Sequence, residues 1–143
     1  MDSVVRAGIF EAVAKEPFAQ ALKLSLVALE LGHSIVEMEY NPTLMNNIYA
    51  RAHGGALFAL IDEAFETASQ THGTIAVALN VNVTYIKPPE AGDRLRAQAD
   101  EIAQTRKTAT YDIKVTNGNG DLIATCQALA YRTGKPVPFA QNS

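Results

Sequence analysis

The run Asn46-Asn47-Ile48-Tyr49-Ala50-Arg51-Ala52-His53-Gly54-Gly55 leads straight into an apolar helical segment. Its two glycines fall where a helix start leaves backbone N–H groups without partners. That end attracts negative charge, glycine allows a carbonyl to come close, and the dipole would stabilise the oxyanion formed when a carbonyl is attacked. On its own, a Gly-Gly pair before a helix is usually just a turn of permissive backbone. The second candidate is Asp62, which the helical wheel sets between Phe58 and Phe65. There a carboxylate would lose water and hold its proton more tightly, which suits a base or a nucleophile, although a solvated helix acid is the alternative. Glu63 and Glu66 fit that solvated description better, with Glu63 grouped beside Thr67 and Gln70. His53 by itself is an ordinary structural histidine, and Asn47 by itself carries no signal.

Spacing connects these candidates. Gly54 and Asp62 are eight positions apart, about 12 Å along a helix at 1.5 Å per residue, whereas both groups must lie within roughly 3 Å of one reacting carbonyl. If they belong to one site, a two-fold partner brings Gly54 of one copy to Asp62 of the other, and a homodimer with two equivalent sites follows.

The elements that must hold these residues are readable from periodicity. Residues 3–14 read as a short N-terminal helix stopped by Pro17; 22–30 and 34–40 alternate around Leu31-Gly32-His33 as a hairpin. The segment 56–70 winds into a helix with Leu57, Leu60, Ile61, Ala64 and Ala68 on one stripe and Gly55, Phe58, Asp62, Phe65, Glu66 and Ser69 opposite; so apolar a helix is buried on both sides. Ile75, Val77, Leu79, Val81, Val83 and Tyr85 then alternate without a break, followed by strands around 95–99, 109–115 and 122–132, with Asn117-Gly118-Asn119-Gly120 as a turn. The predicted order is a hairpin, a buried helix and a four-stranded antiparallel meander, an α+β domain with one helix held by a curved sheet.

Composition narrows the function classes. With 143 residues, 48% of them hydrophobic, the chain reads as one domain over 1–143. Twelve Lys and Arg against 15 Asp and Glu leave a net charge of −3, which argues against nucleic acid as a partner. The single cysteine, Cys126, excludes a disulfide framework and a Cys-pair zinc site and suggests the cytoplasm. No signal peptide is apparent, and no apolar run approaches the roughly 18 residues of a membrane helix.

The stretch His53-Gly54-Gly55-Ala56-Leu57-Phe58-Ala59-Leu60-Ile61-Asp62-Glu63-Ala64-Phe65, with Asn82-Val83-Thr84-Tyr85-Ile86-Lys87-Pro88 and Ala91-Gly92-Asp93-Arg94-Leu95 after it, resembles the hotdog-fold acyl-CoA thioesterases, most nearly the phenylacetyl-CoA type, over roughly 40–133. The resemblance implies that fold, hydrolysis of an acyl-CoA with an aryl or medium-sized acyl group, no cofactor and no metal. It implies Asp62 as nucleophile or base, Gly54 as the N–H that polarises the thioester carbonyl with Gly55 beside it, Asn47 positioning carbonyl or water, and His53 orienting. Phe58, Phe65, Asn80 and Asn82 would line the substrate. A homo-oligomer follows as well, a dimer for each pair of sites and a tetramer of two dimers. Two departures stand out: Tyr49 and Ala50 occupy loop positions where relatives have glycine, and Ala78 stands where some carry Ser or Thr. Arg94, Arg96, Arg106, Lys107, Arg132 and Lys135 are available for the CoA phosphates. The alternatives are a hydratase or dehydratase on the same fold and a non-catalytic acyl-CoA-binding protein.

Overall fold

The structure is a computed structural model that describes residues 1–140, so the last three residues of the expected 1–143 domain lie outside the described residues. Helix α1 (Ser3–Lys15) starts on Asp2, whose side chain accepts the N–H groups of Val4 and Val5. Pro17 stops it as expected and also opens a second short helix, α2 (Pro17–Leu22), because proline is well suited to a first helical position. Strands β1 (Ser25–Glu30) and β2 (His33–Glu39) form the expected hairpin around Gly32, which takes a φ of 68°. After a single-turn helix α3 (Pro42–Met45) comes the long helix α4 (Gly54–Ser69), then β3 (Thr74–Tyr85), β4 (Arg94–Gln104), β5 (Thr108–Thr116) and β6 (Leu122–Pro136), closed by a 3-10 turn at Pro138–Ala140.

All six strands join one antiparallel sheet in the order β1-β2-β4-β5-β6-β3. This corrects the expected meander: β3 does not neighbour β4 but lies at the far edge against β6, while β4 pairs with β2. The reason is the helix between β2 and β3. At 1.5 Å per residue α4 carries the chain about 24 Å, so β3 starts beyond the strands that follow it. The connector through Pro88-Pro89 then returns to β2, where Tyr40 N–H bonds Asp93 O and Gly92 N–H bonds Tyr40 O. The alternation of β3 is also broken, with register shifts between Thr74 and Ala76 and between Ala78 and Asn80. At the second shift Leu79 is an extra residue on β3, while at the first the extra residues lie on β6, between Arg132 and Pro136; such bulges bend the strand that carries them.

The curved sheet wraps α4. The predicted stripe Leu57, Leu60, Ile61, Ala64 and Ala68 is buried throughout. It meets Val36 and Met38 of β2, Leu95, Ala97 and Ala99 of β4, and Tyr111 and Ile113 of β5. The small alanines of β4, with Ala109, Ala128 and Ala130, leave room for a helix to sit close to the concave face, and the larger residues fill the space around it. Among the described residues no helix is long and apolar enough to cross a membrane.

Candidate active site

Helix α4 begins at Gly54, and His53 is its cap: extended at φ −69° and ψ 131°, it accepts the Gly55 N–H on Nδ1 at 2.9 Å. The Gly55 amide is therefore occupied. Among the described residues the Gly54 N–H has no acceptor, so of the two glycines it is Gly54 that presents a free donor at the positive end of a sixteen-residue helix. Tyr85, at the end of β3, lies across it: its hydroxyl donates to Gly54 O at 3.0 Å, and a Cβ built on Gly54 would meet the ring at 3.1 Å. In the sequence Tyr85 stands as the last residue of an alternating strand, which gives no sign that it buttresses the helix start.

Asn47 holds the loop that leads to the helix. Its Oδ1 accepts from Tyr49 N at 2.8 Å and Arg51 N at 3.1 Å, and its own N–H bonds Arg51 O. The loop closes with Ala50 at φ 57°, a left-handed conformation that alanine adopts at a cost and glycine does not. Ala50→Gly is expected to stabilise the fold by about 1 kcal/mol and raise the melting temperature by roughly 3 °C. Thermal denaturation of the variant checks this, and an unchanged or lower midpoint would show that the turn is unstrained.

Asp62 lines a cavity of about 330 Å³ bounded by Phe18, Phe65, Ala76, Val77 and Ala78. Burial holds its carboxyl above the ordinary value, with the charge of Glu16 adding to the shift. Phe65 is 2% exposed and sits edge-on to Tyr111 at 5.4 Å between ring centroids, so it belongs to the core with one side on the cavity. Phe58, 37% exposed, is not part of that lining. Asn80 and Asn82 project from the exposed part of β3 and bond each other through Asn82 Nδ2 and Asn80 Oδ1, outside the Asp62 cavity.

The expectation for Glu63 is overturned, whereas Glu66 keeps an exposed side chain as expected. Glu63 is 3% exposed, and its Oε1 is buried without a partner. Glu16, from the junction of α1 and α2, brings a carboxylate oxygen within 4.8 Å of those of Glu63 and Glu66. Burial, then hydrogen bonding with Glu16 and the neighbouring acids, pushes Glu63 up to about 9; burial, then the charges of Glu16 and Asp62, pushes Glu66 up to about 7. The folded chain thus keeps protons that the unfolded chain releases above its ordinary carboxylate value of 4.5. The associated stability is full below that pH and is lost as pH rises toward about 9. Melting temperatures at about pH 6 and about pH 8.5 should therefore decline in the parent chain, and Glu63→Gln should flatten the decline. Equal slopes in the two proteins would remove Glu63 as its source.

The basic candidates separate. Arg96 binds Glu37 Oε2 through Nε at 3.1 Å and a terminal nitrogen at 2.9 Å, and Arg94 reaches the other oxygen at 3.4 Å. Arg132 donates to Thr105 O at 2.8 Å and, through its N–H, to Lys107 O, which gathers Arg106, Lys107 and Arg132 at the β4–β5 turn. Lys135 is exposed near the end of β6.

Known proteins resemble this chain in sequence and in fold. Residues 49–124 match the Thioesterase superfamily. A putative esterase of Archaeoglobus fulgidus is 35% identical over 119 residues, covering 83% of this chain and 77% of that protein. The acyl-coenzyme A thioesterase PaaI of Escherichia coli is 32% identical over 119 residues, 83% of this chain and 84% of its own length. The solved structure of that PaaI protein, from the phenylacetic acid degradation operon, superposes with a TM-score of 0.87 at 29% identity over 92% of this chain and 95% of the other. A Streptococcus mutans protein solved bound to acetyl CoA superposes with a TM-score of 0.74 at 32% identity, covering 80% and 91% of the two chains.

Proposed function

The chain belongs to the Thioesterase superfamily as a thioester hydrolase, and on that premise we propose that it cleaves acyl-coenzyme A to a free acid and CoA. The observation that carries this reading is the free Gly54 N–H at the start of α4, with a partly desolvated Asp62 on the same helix. In the proposed step the thioester oxygen accepts the Gly54 N–H. Asp62 removes a proton from water as the water oxygen bonds to the acyl carbon, or attacks that carbon itself and is freed by water afterwards. Collapse of the oxyanion breaks the C–S bond, and CoA leaves as thiolate and takes up a proton. The negative charge that develops on oxygen meets a donor already aimed at it, which is where a helix start contributes most. His53 is engaged on Nδ1 as the cap, so its role in this reading is to hold the Gly54-Gly55 turn, a positioning role rather than that of a proton shuttle.

Two copies are needed in this reading, since about 12 Å of helix separates Gly54 from Asp62. The exposed edge of β3 supports it: Val77 and Leu79 are 46% and 58% exposed on a twelve-residue strand with one side unpaired in the sheet order. Long apolar edges of this kind are normally covered. Ile48 and Tyr49, in the loop that leads to α4, are 91% and 78% exposed as well. The acyl group is aryl or medium-sized, matched to the Phe18 and Phe65 walls; Arg106, Lys107 and Arg132 are the leading partners for CoA phosphate. Residues 1–143 act as one domain, in the cytoplasm, as a dimer or a pair of dimers. Free thiol release from a panel of phenylacetyl-, short- and medium-chain acyl-CoAs tests the reading. Turnover of at least one ester is the expected result, and tight binding without release across the panel would make the protein an acyl-CoA binder instead.

A further inference from the structure

The cavity beside Asp62 has apolar walls and an acidic end. Glu16, Glu63 and Glu66 line it together with Asp62, and each of the three brings a carboxylate oxygen within 4.8 Å of the others. Among the described residues none of the three is in an ion pair with Lys, Arg or His. Acid clusters at a surface are common and carry no meaning alone. This one differs because Glu63 is 97% buried, its Oε1 lacks any partner, and its carboxyl faces the other two. A buried polar atom without a partner costs the desolvation that a hydrogen bond would have offset, and a bound donor would remove that cost.

Position along the helix says what that donor is attached to. Asp62 and Glu66 are one turn apart on α4, about 6 Å. An acyl group whose carbonyl is attacked at Asp62 and whose chain runs along the helix through the Phe18, Phe65 and Val77 walls ends at the carboxyl cluster. A hydrocarbon terminus there would strip water from carboxyl groups and return nothing. An ammonium group has three N–H donors and no acceptor, which suits three converging carboxyl groups that give up their retained protons as it binds. Resting on the thioesterase reading above, we infer that the preferred substrates are CoA thioesters of acyl chains that carry a terminal ammonium group, held by Glu16, Glu63 and Glu66. The hydrolytic step itself is unchanged; only the far end of the acyl group is specified.

The test compares hexanoyl-CoA with 6-aminohexanoyl-CoA by free thiol release in EDTA, less the uncatalysed rate, for the parent chain and for Glu63→Gln and Glu66→Gln. The amino ester is expected to have the larger kcat/KM by at least about tenfold, the scale of a hydrogen bond to a charged group. Each variant should collapse that ratio toward one, chiefly through KM for the amino ester. Both exchanges keep side-chain volume, and circular dichroism verifies the fold. Equal or better cleavage of hexanoyl-CoA by the parent chain overturns the inference, as does a preference that survives in both variants. So does calorimetric binding of calcium that Glu63→Gln abolishes with no preference for the amino ester, since the cluster would then be a divalent-cation site. Turnover of other acyl-CoAs with neither of these esters cleaved overturns the inference alone. Failure of every acyl-CoA overturns the thioesterase reading beneath it.

Discussion

Asp62→Asn is expected to lower kcat by about 10³-fold, the mid-range of what a positioned base contributes, with the fold and CoA binding intact. The exchange keeps the shape of the side chain and removes a charge that burial already disfavours, so the variant should be no less stable at neutral pH. The sign of the pH effect follows from the same burial. Asp62 acts as the carboxylate, and its proton is held above the ordinary value of 3.8, so activity in the parent chain falls on acidification at a higher pH than a solvated aspartate would give. That acid limb should vanish from the residual rate of the variant. A variant that retains turnover, or retains the limb, would remove Asp62 from the reaction.

Gly54→Pro is expected to reduce kcat by about 10²- to 10³-fold, the loss seen when one oxyanion donor is deleted. The backbone is prepared for proline: position 54 is the first of the helix, its N–H has no acceptor among the described residues, and His53 before it is already extended. What changes is the donor and the contact with Tyr85, whose ring lies 3.1 Å from an added Cβ. Gly54→Ala separates the two, because it adds the same Cβ and keeps the N–H; it should stay within roughly tenfold of the parent rate if the donor is what matters. Equal losses in both variants would assign the effect to crowding of Tyr85.

Much of this layout can be read without coordinates, and the parts that cannot share a physical cause. The stripe from Leu57 to Ala68 is a local property of a helix, as is the His53-Gly54-Gly55 start, and both stand in the structure where periodicity puts them. The partner of β3 is not local: alternation reports which face a residue takes, not which strand lies beside it, and one extra residue between Ala78 and Asn80 leaves the pattern looking unbroken. Glu63 departs from expectation for a similar reason. On the wheel it sits with Thr67 and Gln70 as a polar flank, yet Thr67 is itself buried and shares a 2.6 Å hydrogen bond with Ser34 of β2. Glu16 and Phe18 reach the same cavity from a segment more than forty residues away in sequence, with no motif to announce it.

The central claim is that each site takes its donor from one copy of the chain and its carboxylate from another. Subunits of Asp62→Asn and Gly54→Pro, each inactive alone, can be unfolded, mixed in equal amounts and refolded. Random pairing makes half the dimers mixed, and a mixed dimer has one site with both an intact Gly54 and an intact Asp62, so the mixture should recover about a quarter of the parent activity. A mixture that forms mixed dimers and remains as inactive as its components would place both groups in a single chain and contradict the account.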